Sequence, residues 1–214
     1  MTLVNRKIIK LNDRGVRNVS EFGSVTPGSM TFIKKLTASS SATLSFVDGA
    51  SDVVLDSTYK DYLFTFNNIH AETDATNFQF QGNVAGGADY NETITSTNFR
   101  SVHNEGDGIT AFSYISGGDQ AQGTAFQNLS EDSQGADADQ SLSGYLHLFN
   151  PSSTTFVTHF MARTNTSKNA GGEVYSADAF VAGYFNLTGA IDEIRFKMSS
   201  DAIDAGDICL YGIK

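Results

Sequence analysis

The sequence predicts an all-β protein, an antiparallel β-sandwich of the jelly-roll type preceded by an extended N-terminal arm. Short apolar and aromatic runs recur along the chain between turn residues, and helical periodicity is nearly absent. The 214 residues include 16 Phe and 8 Tyr, an aromatic content typical of strands. With 20 Gly but only 2 Pro, the turns depend mainly on Gly, Asn and Asp.

The chain divides into an arm, residues 1–29, and a sandwich body, residues 30–214. Apolar residues of the arm follow no sustained period, and Gly15, Gly23 and Pro27 interrupt them. The body has the size of one two-sheet domain with a core that needs neither disulfides nor metals.

Eight strands are predicted in the body. The clearest is Tyr62–Phe66, where aromatic residues alternate with Leu63 and Thr65. The others are Phe78–Gln81, Ile109–Ile115, Leu142–Phe149, Phe156–Met161, Phe180–Phe185, Ile194–Met198 and Ile208–Ile213. We expect a core that contains Tyr62, Phe64, Phe66, Phe78, Phe80, Phe196 and Leu210.

Three features of the connections lead to further expectations. Leu142–Phe149 is apolar on both faces, which indicates a central strand or a face given to a partner subunit. Asn150–Ser153 predicts a four-residue hairpin turn that pairs His147 with Phe156. Residues 116–140 contain five acidic residues and no Lys or Arg, so we expect a long, exposed acidic loop.

Charge is distributed unevenly along the chain. Residues 1–35 carry seven Lys or Arg against two Asp or Glu, a net charge of +5, whereas the remainder carries −15. This asymmetry favours docking of the arm onto an acidic neighbour over binding to nucleic acid, which the acidic body would repel. The residues predicted to attach the arm are Leu3, Val4, Arg6, Lys7, Ile8, Ile9, Lys10, Leu11, Arg14 and Arg17.

No motif predicts catalysis, so we expect a protein that is not an enzyme and needs no cofactor. Glu92, Glu105 and Glu193 are the candidate carboxylates of a polysaccharide hydrolase, but Glu193 follows Asp192 directly and no Trp offers a sugar platform. Tyr90, Tyr114 and Tyr175, on predicted loops, are the candidate contacts for a host-surface glycan.

Metal binding is also disfavoured. The hairpin pairing would separate His147 from His159 by three residue pairs, about 10 Å, too far for a shared zinc ion. His70 and His103 lie among polar residues at strand ends. The acidic segments 104–108 and 132–139 offer oxygen ligands for calcium but lack EF-hand spacing.

Composition also bears on location. No run reaches about 18 apolar residues, so we expect no membrane insertion. The basic N-terminus is not followed by an apolar segment, so no secretory signal is expected. The one cysteine, Cys209, is typical of a chain that folds in a reducing cytosol.

Three stretches resemble a recurring family of tailed-bacteriophage virion proteins, many of them from marine phages. They are LDSTYKDYLFTFNNI at 55–69, LFNPSS at 148–153 and ICLYGIK at 208–214. The resemblance spans most of residues 30–214. It implies a β-sandwich module of a tail fibre, a tail accessory structure or a head decoration, located in the virion and assembled in the host bacterial cytoplasm.

The expected function is therefore a non-enzymatic structural component of a phage particle, foremost a tail-fibre or tail-associated protein docked by its arm. The alternatives are a head decoration protein and a receptor- or glycan-binding module of the tail. The expected partners are other copies of the chain, with a trimer favoured in a fibre, and other virion proteins.

Overall fold

The computed structural model describes residues 29–130, 134–170 and 173–214. In these residues the chain forms strands and no helices. The strands are β1 (Met30–Ser41), β2 (Leu44–Val47), β3 (Asp61–Ala71), β4 (Phe78–Val84), β5 (Ile94–Asn104), β6 (Thr110–Tyr114), β7 (Ala121–Gly123), β8 (Gln127–Asn128), β9 (Leu142–Phe149), β10 (His159–Ala170), β11 (Glu173–Phe185), β12 (Ile191–Met198) and β13 (Ile203–Ile213). The ten predicted attachment residues lie outside the described part of the chain.

The strands form two antiparallel sheets of unequal size, which confirms the predicted all-β sandwich. The large sheet has the order β1-β13-β3-β9-β10-β11-β5-β6, with β7 also paired to β5. The small sheet has the order β2-β12-β4-β8. Strand β9 lies between β3 and β10, as its two-sided apolar sequence predicts.

Aromatic side chains from both sheets form the core. Each of the seven predicted core residues is at most 1% exposed. The ring of Phe196 on β12 lies 5.3 Å from the rings of Phe64 and Phe66 on β3, and 5.7 Å from that of Phe78 on β4. Most of these contacts are edge-to-face, the arrangement that the ring quadrupoles favour.

The predicted four-residue hairpin after β9 is wrong. Strand β10 begins only at His159, which pairs with Phe149, and His147 pairs with Met161 instead of Phe156. The backbone N–H of Asn150 donates to the Lys60 carbonyl, and the Pro151 carbonyl accepts from Ile191, so the turn is anchored to neighbouring segments. Residues 150–158 therefore form a longer loop, in which Phe156 is exposed.

The prediction of an exposed loop at 116–140 is also wrong for most of its described residues. The segment contains β7 and β8, and Leu129 is buried in the core. Ser96 Oγ donates to the Gln127 Oε1 at 2.6 Å, and Gln127 Nε2 donates to the Gly118 carbonyl at 2.7 Å. Because β8 pairs with β4, the segment extends the small sheet and covers inner polar residues of the large one.

Replacing Phe64 by Ala should lower the free energy of unfolding by about 3–5 kcal/mol, since the ring is fully buried among other rings. Urea denaturation measures the loss. Phe112→Ala is the matched control, because the Phe112 side chain is 72% exposed and its removal should change stability by less than about 0.5 kcal/mol. Equal losses in the two variants would contradict the assignment of the core.

Replacing Gln127 by Ala should lower the free energy of unfolding by about 1–3 kcal/mol, because partners at Ser96 and Gly118 would remain buried without it. Hydrogen exchange of the backbone amides at 116–130 should accelerate in the same variant. Thr124→Ala, at an exposed position of the same segment, is the control and should change neither measurement. An unaltered exchange rate in the Gln127 variant would refute the packing role.

Candidate interaction face

The outer face of the large sheet is open in the described structure, because the small sheet packs against the inner face only. Side chains of successive residues alternate between these faces. On β3, for example, Tyr62, Phe64 and Phe66 point into the core, whereas Leu63 and Thr65 point outward. Along each strand the outward positions mix apolar residues such as Met161 with polar or charged ones such as Thr65 and Arg163, so the exposed apolar surface is confined to particular positions.

One lateral row of outward residues crosses seven strands through direct register pairs. We call this row the apolar stripe, and in strand order from β1 to β5 it comprises Phe32, Tyr211, Leu63, His147, Met161, Ala182 and Thr97. None of these side chains is a carboxylate, an ammonium or a guanidinium group. Phe32 is 50% exposed and Met161 is 56% exposed, so the stripe presents apolar surface.

The two flanks of the apolar stripe differ in the size of their side chains. Large rings lie on the β1 side, where Phe32 and Tyr211 make an edge-to-face contact at 5.6 Å. Small residues lie on the β5 side, where Thr97, Ala182 and Gly183 help to line an open hollow of about 270 Å³. At the centre the His147 ring stacks on that of Phe149 at 4.0 Å.

A polar depression of about 320 Å³ lies beside the stripe on β9, β10 and β11. Arg163 donates to both oxygens of Asp178, with Nη2 to Oδ2 at 2.7 Å and Nε to Oδ1 at 3.1 Å. The guanidinium carbon of Arg163 also lies 4.7 Å from the ring centre of Phe180. Tyr145 and Asn165 complete a wall that offers one ring and several hydrogen-bonding groups.

Two of the three candidate carboxylates are engaged in hydrogen bonds with neighbouring segments. Glu193 accepts hydrogen bonds from Tyr90 Oη at 2.6 Å and Asn83 Nδ2 at 3.2 Å, and Glu92 accepts from the backbone N–H of Val84 at 3.0 Å. Glu105 lies in the turn between β5 and β6. Glu92 and Glu193 thus hold the outer side of the small sheet together.

Of the three tyrosines predicted on loops, Tyr90 does lie in the loop between β4 and β5, but its side chain is not exposed. Tyr90 is buried, its hydroxyl is bound to Glu193, and Arg195 lies 3.7 Å from its ring centre. Burial, and then the hydrogen bond to Glu193, raises the pKa of Tyr90. Tyr114 and Tyr175 are on strands β6 and β11 rather than loops.

The histidines contact separate carboxylates. The shortest distances from a ring nitrogen to a carboxylate oxygen are 3.3 Å for His70 to Asp204, 3.1 Å for His103 to Asp107 and 3.7 Å for His147 to Asp61. The register of β9 and β10 places His147 and His159 two residue pairs apart rather than three. Across the described ranges, no three His, Cys, Asp or Glu residues group as metal ligands.

The two acidic segments that offer oxygen ligands for calcium form hydrogen bonds within their own turns. Asn104 Oδ1 accepts the backbone N–H of Ile109 at 2.7 Å, which closes the turn between β5 and β6. In the second segment, Gln140 Nε2 donates to Asp137 Oδ2 at 2.9 Å, and the Asp137 carbonyl accepts the backbone N–H of Gln140. These contacts shape turns, and Asp132 lies outside the described residues.

Tyr90→Phe should lower the free energy of unfolding by about 1–3 kcal/mol at neutral pH, because the charged Glu193 loses a donor at a partly buried site. The raised pKa means that the folded state keeps the Tyr90 proton while the unfolded chain ionises above about pH 10. The advantage of the wild type over Tyr90→Phe should therefore shrink as pH rises beyond that value. Chemical denaturation at pH 7 and 10.5 tests this, with Tyr184→Phe as the exposed-face control.

Sequence reasoning identified the two-sided apolar strand β9 but missed the row to which it belongs. The signal was present in outward residues such as Leu63 and Tyr211, whose lateral alignment depends on the register of distant strands. No helix in the described part of the chain has the length and hydropathy that a membrane span requires. Comparisons with known protein families, curated protein sequences and solved structures found no significant match for this chain.

Proposed function

We propose that the chain is a non-enzymatic structural component of a tailed-bacteriophage particle, foremost a tail-fibre or tail-associated protein. The observation that carries this proposal is the apolar stripe on the open face of the large sheet, since contiguous exposed apolar surface marks a protein contact. A structural module of an assembly buries such a stripe against a neighbouring subunit, whereas a soluble monomer would leave it exposed to water.

The resemblance to phage virion proteins supports the same proposal. Two of its three stretches coincide with β3 and β13, which pair side by side in the large sheet. The third lies at the end of β9 and the start of the loop after it. The resemblance therefore concerns the strands that carry the apolar stripe as well as the core.

Engagement of the candidate carboxylates in structural hydrogen bonds supports a role without catalysis. Glu193 and Glu92 both bind groups of the small sheet, and a hydrolase would need two carboxyl groups free to face one glycosidic bond. We place the chain in the virion, as a homo-oligomer.

Two alternatives within the particle remain open to direct tests. A head decoration protein would use the same face against capsid subunits. A receptor-binding module is favoured by the polar depression, where Tyr145 could stack on a sugar and Arg163 and Asp178 could bind its hydroxyls. A glycan array with the wild type and Tyr145→Ala tests that alternative, which requires binding that the substitution abolishes.

Localisation tests the proposal itself. Particles are purified on a density gradient from lysates of the cells that produce the chain, and each fraction is analysed by quantitative mass spectrometry. The chain should co-sediment with particles at a fixed copy number that survives washing. Immunogold labelling in the electron microscope then separates tail from head. A chain recovered only in the soluble fraction would contradict a virion role.

The arm is predicted to attach the chain to the particle. Deleting residues 1–29 should leave a folded sandwich with a nearly unchanged melting temperature that fails to join particles. Exposed ion pairs contribute about 0–1 kcal/mol each and are screened by salt, so the apolar anchors should dominate. Replacing Leu3, Val4, Ile8, Ile9 and Leu11 by Ser should thus reduce incorporation more than replacing Arg6, Lys7, Lys10, Arg14 and Arg17 by Glu. Incorporation of the truncated chain at the wild-type level would refute attachment by the arm.

A further inference from the structure

We infer that the apolar stripe pairs with the stripe of a second copy of the chain, around a two-fold axis parallel to β9 in the plane between the two large sheets. This inference goes beyond the proposed function, because such a pair can form whether or not the chain belongs to a particle. It rests on the lateral order of the stripe, its relief, its charge and its area.

The lateral order of the stripe is symmetric about β9. Three strands, β1, β13 and β3, lie on one side of β9 within the stripe, and β10, β11 and β5 lie on the other. When the second copy is generated by a two-fold axis parallel to β9, each strand faces the strand that lies equally far from β9 on the other side of the partner's sheet. His147 on β9 then lies at the axis.

The sizes of the side chains in the stripe are complementary when the second copy is placed about this axis. Leu63 would face Met161 of the second copy, so two flexible apolar side chains meet. Tyr211 would face Ala182, and Phe32 would face Thr97, so each large ring on one flank meets a small residue on the other. The hollow of about 270 Å³ beside Ala182 is the space that receives Tyr211.

Charge and area are compatible with a second copy as the occupant. Two chains of net charge −10 repel each other at long range, but the stripe itself carries no carboxylate, ammonium or guanidinium group. Six spacings of about 4.8 Å give a width of about 29 Å, and about 20 Å along the strands includes the two neighbouring rows, which contain the charged residues Lys35, Asp61 and Arg163. The pair would bury about 1,200 Å² in total, the lower bound for a specific interface.

The dependence of self-association on salt concentration distinguishes this contact from docking of the arm. Because the stripe is apolar and the bodies repel, added salt screens the repulsion and should strengthen the pair. A contact between the basic arm and an acidic body includes ion pairs that salt screens, so it should not strengthen as salt is added, even though apolar anchors dominate it. Sedimentation velocity of the full chain at 50 mM and about 500 mM NaCl compares the two.

The decisive variants alter the stripe. Met161→Asp should raise the dissociation constant of the dimer at least about tenfold, because it places a charge against Leu63 of the second copy. Phe112→Asp is the matched control, since Phe112 is more exposed than Met161 but lies on β6 outside the stripe, and it should dimerise like the wild type. Circular dichroism and melting temperature establish that each variant is folded.

Exchanging the large ring at position 211 with the small residue at position 182 tests the two-fold axis itself. Ala182→Phe alone fills the hollow and should weaken the dimer, as Tyr211→Ala alone should by removing the ring. The double variant carries the ring on the opposite flank, and self-association should recover. The inference would be overturned if the wild type is monomeric or forms an assembly of three. It would also be overturned if Met161→Asp leaves the dimer intact, or if the double variant associates no better than the single variants. A monomeric chain that still co-sediments with particles would overturn the pair alone and leave the proposed virion role standing.

Discussion

The contact on which the rest of the structure depends is that between Phe196 and the aromatic rings around it. Its ring touches rings from β2, β3 and β4, so one side chain joins three other strands across both sheets. Sheets of a sandwich have no covalent link between their faces, and burial of apolar area holds them together. The position of the small sheet, and therefore the division of the large sheet into a covered and an open face, follows from this cluster.

The unequal strand count has two consequences for the remaining surface. Strands β2, β12 and β4 cannot cover nine strands, so β8 and the residues around it, Gln127 and Leu129 among them, cover a further part of the inner face. Its amide hydrogen bonds satisfy polar groups such as those of Ser96 that would otherwise be buried without partners. The outer face receives no such cover, and its apolar residues are then available to a partner.

Local alternation made the core strands predictable, whereas long-range pairing did not. The period of two in Tyr62–Phe66 assigns each side chain to a face without any knowledge of its neighbours. The start of β10 instead depends on hydrogen bonds that Asn150 and Pro151 make to distant residues, which the local turn sequence does not encode. Burial of Gln127 was hidden for a related reason, because a polar residue is buried only where partners from elsewhere in the chain meet it. The apolar stripe likewise exists only once seven strands are in register.

The pairing of the first strand with the last determines when this protein can fold. Strand β13 lies between β1 and β3 and pairs Ile213 with Met30, residues near opposite ends of the described chain. During synthesis, the edges of β1 and β3 that pair with β13 therefore remain unpaired until β13 has left the ribosome. A topology with such distant pairings folds slowly, and its unpaired edges can associate with other chains in the meantime. The large sheet can thus be completed only after β13 has been synthesised, and its yield in the cell should depend on the rate of synthesis and on chaperones.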